Sequence, residues 1–312
     1  MHQIALLETI NEIGLNKIKK KFNVHNFTKL KRKEYLKKID NINVIIIKGS
    51  IQIDKEFISH APNLKAVCRA GTGLDNIDQN LLKKKKIKLF NTPRSNTISA
   101  AEFTIFQILF ECRNFDTVLN KLHKKDYRRH LMNGLELRKQ KIGIIGLGNI
   151  GYAVFTRLKS FGCKIYGYDI NENNNLKFKK KGGIVIRNKK KLIEKINILS
   201  IHTSYHSKSG YLLDKKDFDN IVKPIIIINI ARAKLVNEKE LIKAVENKKV
   251  KKYITDVLDP EPNFENLKLN SKYKTKLINS KKIFYTPHIA ASTLDAQEEI
   301  SNEIYAFLKI LK

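Results

Sequence analysis

Cysteine is scarce: Cys68, Cys112 and Cys163 are the only three in a chain of 312 residues. Their wide spacing gives neither a C-x-x-C pair nor a dense framework, so no structural metal site and no disulfide scaffold is expected. Long hydrophobic runs are missing too. The longest aliphatic stretches, 44–47 and 225–228, fall far short of the roughly 18 residues that cross a bilayer, so no membrane partner is expected. The opening residues lack a basic segment followed by an uninterrupted apolar core, from which a cytoplasmic location is expected. Acidic residues are few, 30 against 61 basic ones, for a net charge of +31. Such an excess ordinarily raises nucleic acid as a partner. Here only ten of the basic residues are arginine, and the lysine runs at 17–21, 83–86, 179–181 and 189–191 are spread along the whole chain. Lysine, asparagine and isoleucine are abundant together, the mark of drift toward an adenine- and thymine-rich genome. Nucleic acid is therefore not expected; the charge can help draw in small anions.

What is present is an alternation of strand-like and helix-compatible segments in a length that suits two domains. Strand-like runs at 43–48, 64–70 and 87–92 imply a small parallel α/β unit. Segment 98–115 is apolar nearly all round and is expected to be a helix buried on several sides, between domains or subunits. From 141 the rhythm restarts, with strands expected at 141–146, 164–169, 198–203, 224–231, 253–258 and 283–286, which is that of a doubly wound domain. Asn237 with Glu240, and Ser292 with Asp295, resemble helix-capping pairs, the second opening an amphipathic run at 296–311. That last helix is expected to return to the first unit. The asparagine-rich stretch 171–175 is expected to be a surface loop.

Gly146-Leu147-Gly148-Asn149-Ile150-Gly151 lies between a strand-like run and a helical one, the setting in which G-x-G-x-x-G lets a pyrophosphate approach backbone N–H groups at a helix start. Alone the pattern is weak, since a tight strand-to-helix turn also uses glycine. Asp169 closes the next strand about twenty residues on, where a carboxylate accepts from a ribose 2′-OH and repels a 2′-phosphate, so NAD is the expected cofactor. Three further segments end apolar strands with unusual polar groups: Ala231-Arg232, Asp259-Pro260-Glu261-Pro262 and Thr286-Pro287-His288-Ile289-Ala290-Ala291. Each has an ordinary alternative: a capping arginine, a proline-bounded turn, a hydrogen-bonded histidine. Together they supply what oxidation of a 2-hydroxy acid needs: an imidazole to take the hydroxyl proton, a carboxylate to pair with it, and a guanidinium to grip the substrate carboxylate.

Nearly the whole chain resembles the D-isomer-specific 2-hydroxyacid dehydrogenases, and within them the D-3-phosphoglycerate dehydrogenases. The resemblance rests on Arg69-Ala70-Gly71-Thr72-Gly73-Leu74-Asp75-Asn76-Ile77-Asp78, Asn91-Thr92-Pro93, Ser99-Ala100-Ala101-Glu102, the glycine motif, Asn229-Ile230-Ala231-Arg232, Asp256-Val257, Glu261-Pro262 and Pro287-His288-Ile289-Ala290-Ala291-Ser292-Thr293. It implies two Rossmann-like doubly wound parallel-sheet domains, the cofactor domain (98–287) inserted into a discontinuous substrate domain (1–97 plus 288–312). It also implies a catalytic trio of Arg232, Glu261 and His288, with His288 the acid/base. Cofactor contacts follow at Thr72, Gly146, Gly148, Asn149, Ile150, Gly151, Asp169, Thr203, Ile230, Ala231, Arg232, Asp256, His288, Ile289, Ala290 and Ala291. Substrate contacts follow at Lys48, Arg69, Gly71, Thr72, Gly73, Arg232 and His288, solvated surface charge being the ordinary alternative for Lys48. The implied reaction is NAD-dependent oxidation of D-3-phosphoglycerate to 3-phosphohydroxypyruvate, the first step of serine biosynthesis, with a glyoxylate or hydroxypyruvate reductase as the alternative. A non-enzymatic NAD-sensing, corepressor-like protein is a further one. A homodimer or homotetramer through 98–140 is implied as well, and no C-terminal regulatory domain. The chain departs from its relatives at Ala233, where glycine is usual and a side chain would be strained at positive φ. It departs also at Lys48, which replaces an arginine, and around Ser204-Tyr205-His206-Ser207, where a proline-containing loop is lost.

Overall fold

A computed structural model describes residues 2–205, 209–260, 277 and 280–311. The chain divides into two compact units, Met1–Thr97 with Ser292–Lys312, and Ile98–Ala291. In the first, strands β1 (Gln3–Leu6), β2 (Asn23–Asn26), β3 (Val44–Ile47), β4 (Ala66–Arg69) and β5 (Lys88–Asn91) alternate with helices α1 (Glu12–Lys19), α2 (Arg32–Tyr35), α3 (Lys55–Ser59) and α4 (Gln79–Lys84). The strands pair in parallel in the order β2-β1-β3-β4-β5. A parallel sheet covered on both faces needs apolar residues at consecutive positions, and β3 supplies them. Val44 and Ile46 join the cluster of Ile4, Leu6 and Cys68 on one face, while Ile45 and Ile47 join Ala5, Val67 and Phe57 on the other.

The second unit holds α5 (Thr97–Cys112), α6 (Phe115–His123), β6 (Lys141–Ile145), α7 (Asn149–Leu158), β7 (Lys164–Tyr168), α8 (Glu172–Lys180), β8 (Ile184–Val185), α9 (Lys189–Lys195), β9 (Ile198–Ile201), α10 (Lys215–Asp219), β10 (Ile225–Asn229), α11 (Glu238–Glu246), β11 (Val250–Thr255) and β12 (Ile283–Tyr285). Among the described residues its parallel strands run β12-β11-β10-β9-β6-β7-β8, so the order reverses between β6 and β9, the switch point at which open α/β sheets bind ligands. The last helix, α12 (Leu294–Ile310), belongs to the first unit, where Ile304 and Leu308 pack with Leu15 and Ile18 of α1. Gly14 is needed there: a Cβ at that position would lie 1.9 Å from the Ser301 Cβ.

The architecture is the two-domain doubly wound one that the sequence implies. Several local expectations are corrected. Residues 172–175 are helical, because Asn171 accepts from the Asn173 N–H while buried Asn175 accepts from the Asp169 N–H and donates to the Asp169 carbonyl. The apolar segment 98–115 is helical to Cys112, where α5 ends; Asn114 turns the chain at φ 50°, and Phe115 opens α6. The cap of α12 is Thr293, not Ser292, its hydroxyl accepting from the Ala296 N–H at 3.2 Å. Strand β11 begins at Val250 because Lys252 is buried against acids rather than solvated. Residues 288–291, assigned by the sequence to the first unit, pack with the second, held by hydrogen bonds to Asp256. The strands β1, β2 and β8, short and in part polar, escape the periodicity reading.

Candidate active site

The glycine loop leads directly from β6 into α7, with Gly148 as N-cap. Each glycine has its own steric reason. Gly146 has φ +88°, and a Cβ there would stand 2.6 Å from the backbone of His202. A Cβ on Gly151 would be 1.9 Å from the Gly146 carbonyl oxygen, so the helix packs against the strand end only without a side chain. At Gly148 a Cβ would meet nothing within 4 Å among the described residues, which leaves the helix start open to an approaching group. Asn149 and Ile150 form the first turn. A negatively charged pyrophosphate fits this open, N–H-rich helix terminus.

Asp169, at the carboxyl end of β7, accepts from the Leu147 N–H at 2.6 Å, the Asn171 N–H at 2.7 Å and the Asn174 amide at 3.1 Å. A carboxylate offers about four acceptor positions, so capacity remains for a ribose hydroxyl, and its charge opposes a 2′-phosphate. After β9 the backbone of His202 and Thr203 borders Gly146. His202 was not singled out from the sequence. Its Nε2 lies 2.7 Å from the Ser200 hydroxyl, and burial pushes the imidazole down to about 3, keeping it neutral. Its Nδ1 is buried with no hydrogen-bond partner among the described residues.

Arg232 leaves the end of β10 half-buried, its Nη1 donating to the Ala231 carbonyl at 2.7 Å. The turn is fixed from beneath by Asn229, fully buried: its amide donates to the Arg232 carbonyl at 2.9 Å and its oxygen accepts from the Ala231 N–H at 3.1 Å. Ile230 is buried in the core, so only its backbone faces the strand end. Ala233 sits in a single 3₁₀ turn, Ala233–Leu235, and is not among the positive-φ residues, so the strain anticipated from its missing glycine does not arise.

Asp256 organises the next turn. Its carboxylate, 1% exposed, accepts from the Thr286 hydroxyl, the Ile289 N–H (2.9 Å) and the Ala290 N–H (2.7 Å). Burial raises its pKa, against the lowering by those bonds. To aim two successive N–H groups at one carboxylate the chain must reverse, and His288 accordingly takes φ 57°. The histidine is exposed, and buried Ala290 anchors the turn beside Ala291. Glu261 lies outside the described residues, as do His206 and Ser207.

In the first unit the expected substrate-side residues gather at the ends of β3 and β4. The Arg69 Nη1 donates to the Ala70 carbonyl at 3.1 Å. Its guanidinium lies so close over Gly71, φ +134°, that a Cβ there would be 1.7 Å from Nη1. Thr72 donates to the Asn96 side chain at 2.8 Å, half-buried Gly73 follows, and Lys48 continues β3.

The family model for the NAD binding domain of D-isomer specific 2-hydroxyacid dehydrogenases matches residues 105–290. The chain belongs to that family. Its second unit is the NAD-binding domain of a D-isomer specific 2-hydroxyacid dehydrogenase, and the open glycine loop with Asp169 fits that cofactor. A D-3-phosphoglycerate dehydrogenase of Methanocaldococcus jannaschii is 29% identical over 96% of this chain and 55% of its own length. A hydroxypyruvate reductase of Thermotoga maritima is also 29% identical, over 88% of this chain and 86% of its own. The chain thus spans about half the length of the curated D-3-phosphoglycerate dehydrogenases it matches. In fold it is similar to the D-lactate dehydrogenase of Aquifex aeolicus, with a TM-score of 0.85, 23% identity and coverage of 98% of this chain and 94% of that one.

Proposed function

We propose that the chain is an NAD-dependent D-2-hydroxyacid dehydrogenase that oxidises D-3-phosphoglycerate to 3-phosphohydroxypyruvate, in the cytoplasm, as the first step of serine biosynthesis. The observation that carries the reaction class is the exposed His288, held on a left-handed turn beyond the carboxyl end of the same parallel sheet as Arg232 and the glycine loop. In this reading His288 takes the C2 hydroxyl proton, Glu261 pairs with the imidazole, and Arg232 grips the substrate carboxylate by parallel hydrogen bonds. Bound NAD supplies the hydride acceptor. Similarity to phosphoglycerate dehydrogenases over 96% of the chain supports the phosphorylated substrate, as does the cationic pair Lys48 and Arg69. A second reading, reduction of hydroxypyruvate or glyoxylate, is favoured by the length match to the Thermotoga reductase.

Steady-state turnover of D-3-phosphoglycerate against hydroxypyruvate, glyoxylate and D-lactate, each with NAD and NADP cofactors, tests the assignment. Efficient NAD-linked phosphoglycerate oxidation is expected. Turnover of only the unphosphorylated acids overturns the substrate and leaves the reaction class standing; binding of NAD with no turnover of any acid favours the NAD-sensing alternative. We also propose a homodimer through 98–140. Among the described residues of the single chain, helix α6 has no buried residue, and Phe106, Phe115, Leu119, Leu122, Leu131 and Leu135 are exposed.

A further inference from the structure

The turn that carries Lys48 out of β3 is held by side chains distant in sequence. The Glu8 carboxylate, just beyond β1, accepts from the Lys48 N–H at 2.6 Å, the Ser50 N–H at 3.0 Å and the Ile51 N–H at 3.4 Å. From the other side the buried Asn76 amide donates to the Ile51 carbonyl at 2.6 Å and the Lys48 carbonyl at 3.2 Å. Asn76 is itself fixed, its carbonyl accepting from the Ile53 N–H at 2.9 Å. Five backbone groups of a four-residue turn therefore end on two side chains. The turn reads Lys-Gly-Ser-Ile, a sequence with no proline and a central glycine, so its own chemistry supplies little rigidity and much entropy to be lost on ordering. The same turn meets the neighbouring strand end: a Cβ on Gly49 would lie 3.6 Å from the Arg69 Nη2. Where the turn settles thus fixes the spacing of the two cations, Lys48 and Arg69.

We propose that Glu8 and Asn76 are positioning residues that lock the 48–51 turn, so that Lys48 and Arg69 stand preorganised for the anionic group of the substrate. The inference rests on the functional reading given above. Neither residue touches substrate; each acts through the backbone of the turn. The negative charge of Glu8 is directed at three N–H groups, which lets a carboxylate stand near an anion site without filling the cations' role.

Glu8→Gln tests the idea, because a carboxamide has one acceptor oxygen and turns N–H groups toward N–H groups. Expected is a rise of about tenfold in KM for the anionic 2-hydroxy acid, kcat changed by no more than about twofold, and an unaltered Kd for NAD. Amide hydrogen exchange at Lys48, Ser50 and Ile51 should also accelerate in the variant. Asn76→Ser should shift KM in the same direction, through the carbonyl side. An unchanged KM, a fall in kcat and NAD affinity alongside KM, or unchanged exchange at those three amides would each overturn the proposal. If the wild-type protein fails to oxidise phosphoglycerate, the substrate assignment falls by itself. The exchange measurement, and KM for whichever 2-hydroxy acid is turned over, then decide the role of Glu8.

Discussion

His288 stands exposed on a left-handed turn whose shape is set by the Asp256 carboxylate rather than by its own imidazole. Replacing it should therefore remove chemistry and leave the turn in place. His288→Ala is expected to lower kcat by roughly a hundredfold to ten-thousandfold, with a far smaller change in the Kd for NAD, followed by calorimetry; retained turnover would dismiss it as the proton acceptor. Gly151→Ala fails differently. Its Cβ would lie 1.9 Å from a backbone carbonyl that cannot swing aside, so α7 must back away from β6. We expect NAD affinity to drop at least tenfold, by fluorescence titration, together with a lower melting temperature. As candidates, the glycines were legible through their spacing between a strand and a helix, and Asp169, Arg232 and His288 through polar residue types at the ends of apolar strands. Glu8 was not, and Asn76 and Asn229 stood in the family-like segments without their roles being legible. Their work is done on backbone groups or inside the core, some of it forty residues away along the chain, and neither periodicity nor motif spacing carries that information.

Among the elements, β11 shows most plainly how a charge can mislead. Two adjacent lysines suggest a solvated lead-in, yet only Lys251 faces water, while Lys252 reaches Glu111 of α5 at 2.5 Å and Asp116 of α6 at 2.7 Å. Burial opposes the charge of Lys252, but the hydrogen bonds to Asp116 and Glu111 outweigh it and its pKa is raised. Burial likewise pushes the Glu111 carboxyl up, against the lowering effect of Lys252. Lys252→Met should leave Glu111 buried without its cation and cost about 3 kcal/mol in urea unfolding, at the low end for a buried pair because Asp116 is partly exposed. The sign of the pH dependence follows. A carboxyl with a raised folded pKa stabilises below its unfolded value of about 4.3 and loses that contribution as pH rises. Asp116, whose folded pKa is lowered despite burial by the hydrogen bond from Lys252, contributes above its unfolded value and loses it as pH falls. Both effects make the variant's deficit greatest near neutral pH and smaller near pH 4; a deficit that grows on acidification would contradict the pairing. Strands with unbroken aliphatic runs, β3 and β10, were plain from sequence. The helix at 172–175 was hidden because asparagine favours turns in general, whereas here Asn171 and Asn175 bond the chain ends that start α8.

At the scale of the whole molecule, the family resemblance implied one unit inserted in another, and the two clusters on each sheet bear out the doubly wound reading. Assembly between copies concerns the face of α6. If that face is the dimer contact, Leu119→Lys with Leu122→Lys should give monomers by sedimentation without altering the secondary structure seen by circular dichroism. A double variant that sediments like the wild type would move the contact elsewhere.

The return of α12 to the first sheet has a consequence in time. Residues leave the ribosome in order, so Ile98–Ala291 is complete before the helix that covers Ile4, Leu6, Val44 and Ile46 has been made. During synthesis that face of the first strands is covered only in part, by α1, until α12 is made, while the inserted unit can already close around its own core. A released chain that stops after residue 293 should then resist protease across the second unit and be cut readily within the first ninety residues.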